Sequence, residues 1–129
     1  MGKISQKRVL IVDDAALVRL YYREALERAG YQVEEALNGL EALEKVMFSA
    51  VDLLIVDINM PQMDGMTFLK MLRKQDQPTG STLALVTSTE GAPHDIAAAR
   101  AAGANYYLTK PLAQDALIAH VDAMLGAGE

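Results

Sequence analysis

Cysteine is absent from the 129 residues, which rules out disulfides and any thiolate metal site. That absence fits a reducing compartment. Histidine occurs only at His94 and His120, on predicted helix starts or faces without a partner signal, so neither is read as a ligand or a reactive group. No apolar run approaches the ~18 residues that span a bilayer. The N-terminal Met1-Gly2-Lys3-Ile4-Ser5-Gln6 has no secretory h-region and does not meet the myristoylation pattern. Basic residues are scattered under a formal net charge of −5, a poor fit to direct nucleic-acid binding. Linkers, low-complexity tracts and internal repeats are missing as well. These exclusions leave a soluble, cytoplasmic protein without membrane or nucleic-acid partners. With 51% hydrophobic residues, one domain over 1–129 can bury a core without metal or disulfide staples.

What is there is an alternation of short apolar runs and amphipathic stretches. Arg8–Val12 is a β-branched run that ends on Asp13 and Asp14, as expected of a strand covered on both faces. Leu17–Ala29 has helical spacing, with Val18, Tyr21, Ala25 and Ala29 on one stripe, and Gly30 follows it. Tyr31–Ala36 alternates and reads as a partly exposed edge strand. Asn38-Gly39 marks a turn before a helix carrying Leu40, Leu43, Val46 and Met47.

Leu53–Val56 is the third strand, and it delivers Asp57 at its end. Met60-Pro61 then stops further pairing, because proline has no N–H to donate. Met66–Lys74 is a helix that packs through Phe68, Leu69 and Leu72, and Gln77-Pro78-Thr79-Gly80 is a turn. Thr82–Val86 is the fourth strand, ending on Thr87, Ser88 and Thr89. Pro93 opens the next helix, His94–Ala102, which is alanine-rich and should pack lightly. Tyr106–Leu108 is a fifth strand before Thr109-Lys110-Pro111. The last helix, Ala113–Leu125, should bury Leu117, Val121, Met124 and Leu125.

This (βα)5 pattern predicts an α/β protein with a doubly wound parallel sheet. Ligands in such sheets bind at the carboxyl ends of the strands. There the pattern collects Asp13 and Asp14 after the first strand, Asp57 after the third, Thr87 after the fourth and Lys110 after the fifth. Converging carboxylates raise one another's pKa unless a cation sits among them. Oxygen ligands without His or Cys favour a hard ion, and Mg²⁺ suits two or three carboxylates plus waters.

Asp13-Asp14, Asp57 with Met60-Pro61 and Asp64-Gly65, Thr87, and Lys110-Pro111 resemble the receiver domain of bacterial two-component response regulators, over essentially the whole chain. The chain most resembles the stand-alone, chemotaxis-type subclass: a single receiver domain, with a core of about residues 7–126 and no output domain expected. The resemblance implies a five-stranded sheet in the flavodoxin-like order 2-1-3-4-5. It implies that Asp57 accepts a phosphoryl group from a sensor histidine kinase or histidine phosphotransfer protein. Mg²⁺ would be bound by Asp14, Asp57 and the backbone carbonyl of Asn59, with Asp13 acting mainly through water. Lys110 would pair with the phosphoryl oxygens, Thr87 would donate its hydroxyl to them, and Tyr107 would be the aromatic switch. Asn59 and Thr89 occupy the positions that tune acyl-phosphate lifetime, and neither is an acid or a base. A downstream protein target would read the fourth helix, fifth strand and fifth helix.

Bland readings stand beside these. Asp13-Asp14 alone would be a helix cap, Asp64-Gly65 a turn, Thr87 a strand cap and Tyr107 a half-buried strand aromatic. Ala15 follows the acid pair where the family often has a hydroxyl residue, which weakens a cap. The expected protein is a regulator that phosphorylates and dephosphorylates itself rather than a turnover enzyme. An aspartyl-phosphate hydrolase on a related fold is the alternative. It would want a second acid where Asn59 stands. A flavin carrier of the same topology would want glycines and hydroxyls where Asp13 and Asp14 stand.

Overall fold

The computed structural model describes residues 6–126. Along the chain it runs β1 (Arg8–Val12), α1 (Ala16–Arg28), β2 (Gln32–Ala36), α2 (Gly39–Phe48), β3 (Leu53–Asp57) and α3 (Gly65–Arg73). After a short 3₁₀ turn at Thr79–Ser81 come β4 (Leu83–Ser88), α4 (Pro93–Ala102), β5 (Tyr106–Thr109) and α5 (Gln114–Leu125). The sheet is five-stranded and its order is β2-β1-β3-β4-β5. Every pairing is parallel. The predicted (βα)5 architecture and strand order are therefore present, with element ends displaced by one or two residues. β4 extends furthest past its predicted end, through Thr87 and Ser88.

Side-chain alternation sorts the core into two layers. Leu10, Val12, Leu54, Val56, Ala84 and Val86 pack against α2, α3 and α4. Val9, Ile11, Leu53, Ile55 and Leu85 pack against α1 and α5. The central strands are apolar on both faces because helices cover both. β2 lies at one edge of the sheet, and its residues are only intermittently buried. Phe68, Leu69 and Leu72 of α3 are buried as predicted. In α5, Leu117 and Val121 are buried, while Met124 and Leu125 are half-buried. α4 buries only Ala99 and Ala102, in keeping with its alanine-rich sequence.

Two helices bury faces partly shifted from the predicted ones: Val18 and Ala25 of α1 and Leu43 and Val46 of α2 pack inward as expected, and the other predicted residues do not. In α1 the buried residues are Tyr22, Ala25 and Leu26, while Tyr21 and Ala29 face solvent. Tyr22 and Leu26 are four apart and bury one continuous stripe, and Ala29 is already the C-cap. In α2 the buried residues are Gly39, Ala42 and Val46, while Leu40 and Met47 are exposed. Small residues face inward there because the helix runs close to the loop after β3. The Gly39 N–H donates to the Met63 carbonyl at 2.9 Å, and a Cβ on Gly39 would lie 2.5 Å from that oxygen. Asn38, read as a turn residue, is the N-cap of this helix and accepts from the Glu41 N–H at 2.8 Å.

Candidate functional site

Parallel register carries the strand-end residues to one rim. Val12 pairs with Val56, so Asp13 and Asp57 leave adjacent strands at the same level. Asp57 pairs with Thr87, and Thr87 with Leu108, two residues before Lys110. Carboxylate oxygens of Asp13, Asp14 and Asp57 all lie within 4.8 Å of one another. Asp13 is 1% exposed and Asp57 6%, whereas Asp14 stands in solvent at the mouth. The Lys110 ammonium donates to Asp13 Oδ2 at 3.0 Å and to Asp57 Oδ1 at 3.3 Å.

Local chain chemistry holds these groups in place. Asp13 Oδ1 accepts from the Ala15 N–H at 2.9 Å, which turns the chain into α1. Ala15 is the N-cap and offers no side-chain bond, as its residue type dictates. Arg19, one turn into α1, donates to the Asp13 carbonyl at 2.7 Å and to Glu35 at 2.7 Å. Asn59 stands two residues past Asp57, in the loop that follows β3. Asp64 caps α3 by accepting from the Thr67 N–H at 2.8 Å, the structural role expected of it. Met60, Met63 and Met66 pack their side chains against the α2–α3–α4 layer, which ties down the loop. Gly65 completes it: its N–H donates to the Ile58 carbonyl at 3.0 Å, and a Cβ would lie 2.4 Å from the Asp57 carbonyl oxygen.

The electrostatics follow from two buried acids sharing one cation. Burial pushes the Asp57 carboxyl above the ordinary aspartate range, the Asp13 charge adds to this, and Lys110 pulls against it. Burial pulls Lys110 down, but its hydrogen bond to Asp13 and the charges of Asp13 and Asp57 outweigh it and hold the ammonium up. Lys110 is therefore charged, and the cluster remains short of positive charge. Three carboxylates with no nitrogen or sulfur donor among them fit a hard divalent cation such as Mg²⁺.

The remaining predicted residues divide between the two sides of the site. Thr87 is fully buried and its hydroxyl makes no hydrogen bond among the described residues. Thr89 is exposed and, with Lys110, borders an open groove of about 510 Å³ lined by Leu17, Val18, Tyr21, Tyr22 and Leu112. Tyr107 is half-buried against the α2–α3–α4 layer, and its hydroxyl donates to the Glu90 backbone carbonyl. The register pairs Tyr107 with Val86, whereas Thr87 shares the face of Leu85. Thr87 and Tyr107 thus lie on opposite faces of the sheet. His94 is exposed beside Asp95, and the His120 ring packs at a tilt against Tyr106 with centroids 5.0 Å apart, both outside the cluster.

Two residues at the site were not singled out from the sequence, Arg19 and Tyr22. Arg19 carries a readable signal, since it lies one helical turn beyond the acid pair. Tyr22 carries a weaker one, a polar-tipped aromatic in a buried stripe that the predicted face misplaced onto Tyr21. Burial raises the Tyr22 hydroxyl pKa, Lys110 opposes this, and the hydroxyl is close enough to sense Asp13, Thr87 and Asp57 as well.

Comparison with known proteins agrees with this geometry. A family model described as the response regulator receiver domain matches residues 9–122. The chain is 43% identical over 105 residues to the protein-glutamate methylesterase/protein-glutamine glutaminase of Archaeoglobus fulgidus, covering 81% of this chain and 30% of that protein. It is 40% identical over 119 residues to the response regulator MprA of Mycobacterium leprae, covering 92% of this chain and 50% of MprA. The chain thus spans half or less of the length of these relatives. Among solved structures, the chemotaxis protein CheY4 of Vibrio cholerae superposes with a TM-score of 0.87 at 35% identity, covering 94% of this chain and all of that one.

Proposed function

The chain belongs to the response regulator receiver family, and on that premise we propose that Asp57 is the phosphoacceptor of a phosphorylation-activated signalling switch. The observation that carries the assignment is the position of Asp57, a buried strand-end carboxylate within 4.8 Å of Asp13 and Asp14 and 3.3 Å from the Lys110 ammonium. A carboxylate is a weak nucleophile, so transfer depends on neutralising the charge of the incoming group. Lys110 supplies one positive charge on the β5 side. Asp13, Asp14, Asp57 and the Asn59 carbonyl would hold Mg²⁺ on the other. When bound, that ion supplies the positive charge that screens the phosphoryl oxygens from the carboxylates.

The donor on this reading is a phosphohistidine of a sensor kinase or phosphotransfer protein. An Asp57 oxygen forms the new P–O bond as the donor's P–N bond breaks, and the imidazole leaves with the bonding pair. Such a donor must cover the mouth of the site. The rim there is apolar: Leu17 is 80% exposed, and Leu20 and Tyr21 are also exposed on α1. That rim favours docking by a protein over direct transfer from small anions alone.

Phosphorylation exchanges one carboxylate charge for a group of roughly −1.5 to −2. Moving a two-state equilibrium from about 1:99 to 99:1 takes roughly 5.5 kcal/mol, and charge-assisted hydrogen bonds contribute ~1.5–3 kcal/mol each. Bonds from Lys110 and Thr87 together come to about 3–6 kcal/mol, which reaches this figure only at the upper end of the range. The altered surface would be α4, β5 and α5, with Tyr107 acting on the β4–α4 loop through Glu90, and a downstream protein would read it. Asn59 and Thr89, lacking acid or base groups, give hydrolysis no general-base help. The missing second acid at Asn59 also disfavours an aspartyl-phosphate hydrolase. The methylesterase reaction named for the Archaeoglobus protein does not transfer, because this chain matches only 30% of its length.

Incubation with acetyl phosphate and Mg²⁺, read by intact mass, tests the assignment. The parent chain should gain one phosphoryl group and Asp57→Asn should gain none. An unlabelled parent, or an equally labelled variant, overturns it.

A further inference from the structure

The buried face of α1 ends at the site in a tyrosine. Tyr22 is 3% exposed and packs in the α1–α5 layer with Leu26, Leu85 and Leu117. Those neighbours are aliphatic, and an aliphatic side chain would fill such a position without a polar atom to satisfy. A buried tyrosine brings a hydroxyl that needs a partner. The ring borders the groove beside Lys110 and packs in the same layer as Leu85 of β4.

Thr87 has the complementary need. Alternation along β4 sends Ala84 and Val86 to the α2–α3–α4 layer and Leu85 to the α1–α5 layer. Thr87 follows Leu85, so its side chain lies on the Tyr22 side of the sheet. Its hydroxyl is buried and makes no hydrogen bond among the described residues, although buried hydroxyls are costly to leave unpaired. Tyr107, the expected aromatic switch, lies on the opposite face, and its hydroxyl donates to the Glu90 carbonyl.

We propose that Tyr22 is the partner of Thr87 while Asp57 carries no phosphoryl group, so that α1 contributes a positioning residue to the switch. In the resting protein Thr87 is held toward α1, and a phosphoryl group on Asp57 must win the hydroxyl away from Tyr22. The tyrosine thereby raises the threshold for activation without touching the reacting atoms. This rests on the assignment of Asp57 and Thr87 made above, but the Tyr22–Thr87 pairing can be tested apart from it.

The test uses Tyr22→Phe, which keeps the ring and its packing and removes only the hydroxyl. In the unphosphorylated protein without added Mg²⁺, three-bond couplings of the Thr87 methyl group should report one dominant rotamer in the parent and rotamer averaging in Tyr22→Phe. With Mg²⁺ present, beryllofluoride should bind Tyr22→Phe about two- to tenfold more tightly than the parent, the span expected for losing one ordinary hydrogen bond from the resting state. In a Thr87→Ala background the same substitution should leave beryllofluoride affinity unchanged. Unchanged couplings overturn the proposal. So does an affinity that stays the same or weakens, or one that tightens equally without Thr87. If the couplings change as expected but the parent binds no beryllofluoride, the Tyr22–Thr87 pairing stands and the reading of Asp57 fails.

Discussion

The carboxylates of Asp13 and Asp57, both almost fully buried, share the ammonium of Lys110 at 3.0 and 3.3 Å. Two negative charges against one positive is an unstable arrangement away from water, and it shows in the Asp57 carboxyl. Its pKa is raised, by burial first and by Asp13 second, despite Lys110. The geometry that prepares Asp57 to receive a phosphoryl group therefore costs the resting protein stability.

That cost sets a pH dependence whose sign can be worked out. A carboxyl with a raised pKa in the folded state binds its proton more tightly folded than unfolded. Stability then falls as pH rises from the ordinary aspartate range through the raised value, and the full penalty applies above it. Asp57→Asn removes the charge and keeps the shape. In metal-free buffer the variant should melt higher than the parent at pH 7, and the difference should shrink as pH falls toward the ordinary aspartate range. Thermal denaturation across that range checks it, and a difference that does not vary with pH would count against the shared-cation account.

A hard divalent cation should relieve the same strain. Mg²⁺ at a hundred times its dissociation constant stabilises a folded protein by about 2.7 kcal/mol when the unfolded chain does not bind it. The parent's melting temperature should rise accordingly with Mg²⁺. Asp14→Asn, at the exposed edge of the cluster, should abolish most of the rise while leaving the metal-free melting temperature nearly unchanged. A variant that responds to Mg²⁺ like the parent would remove Asp14 from the metal set.

Gly65 tests the loop rather than the charges. A methyl group there would lie 2.4 Å from the Asp57 carbonyl oxygen and 3.0 Å from the Ile58 Cα, and both are backbone atoms with little room to yield. Gly65→Ala should cost about 1–3 kcal/mol, the usual range for overpacking. It should also slow phosphorylation by acetyl phosphate, because the strain falls on the residue that carries the nucleophile. A variant of parental stability would show that the β3–α3 loop is looser than its hydrogen bonds indicate.

How much of this was legible in the chain depends on the kind of signal. Asp57 could be found because a fully apolar strand ends on one acid and then breaks at Met60-Pro61. Phe68, Leu69 and Leu72 could be placed because large residues on a short helix leave few ways to bury them. In α2 the reverse holds, since Gly39 and Ala42 face inward and Leu40 and Met47 face out. Close backbone approach to Met63 decides that face, and no periodicity of large apolar residues records it. Tyr21 and Tyr22 differ by 100° around a helix, so a one-residue error in the stripe hid Tyr22. The opposite faces of Thr87 and Tyr107 depend on the β4–β5 register, which is a tertiary property.

α4 is the element whose packing best suits it to move. Ala99 and Ala102 are the residues it buries, and neither is large. Its N-terminal loop is tied to β5 by the Tyr107 hydroxyl on the Glu90 carbonyl, at an exposed position where one hydrogen bond contributes little. Helices with few buried apolar groups open at low free energy, and amide exchange reports that opening. Exchange within 93–102 should be the fastest among the five helices, and beryllofluoride with Mg²⁺ should change it more than it changes exchange in α1 or α3. Tyr107→Phe should speed exchange in α4 of the resting protein about twofold, the low end for a lost hydrogen bond. If beryllofluoride leaves exchange in α4 untouched, the signal does not leave the site by this helix, and the α4–β5–α5 surface loses its claim to be the readout.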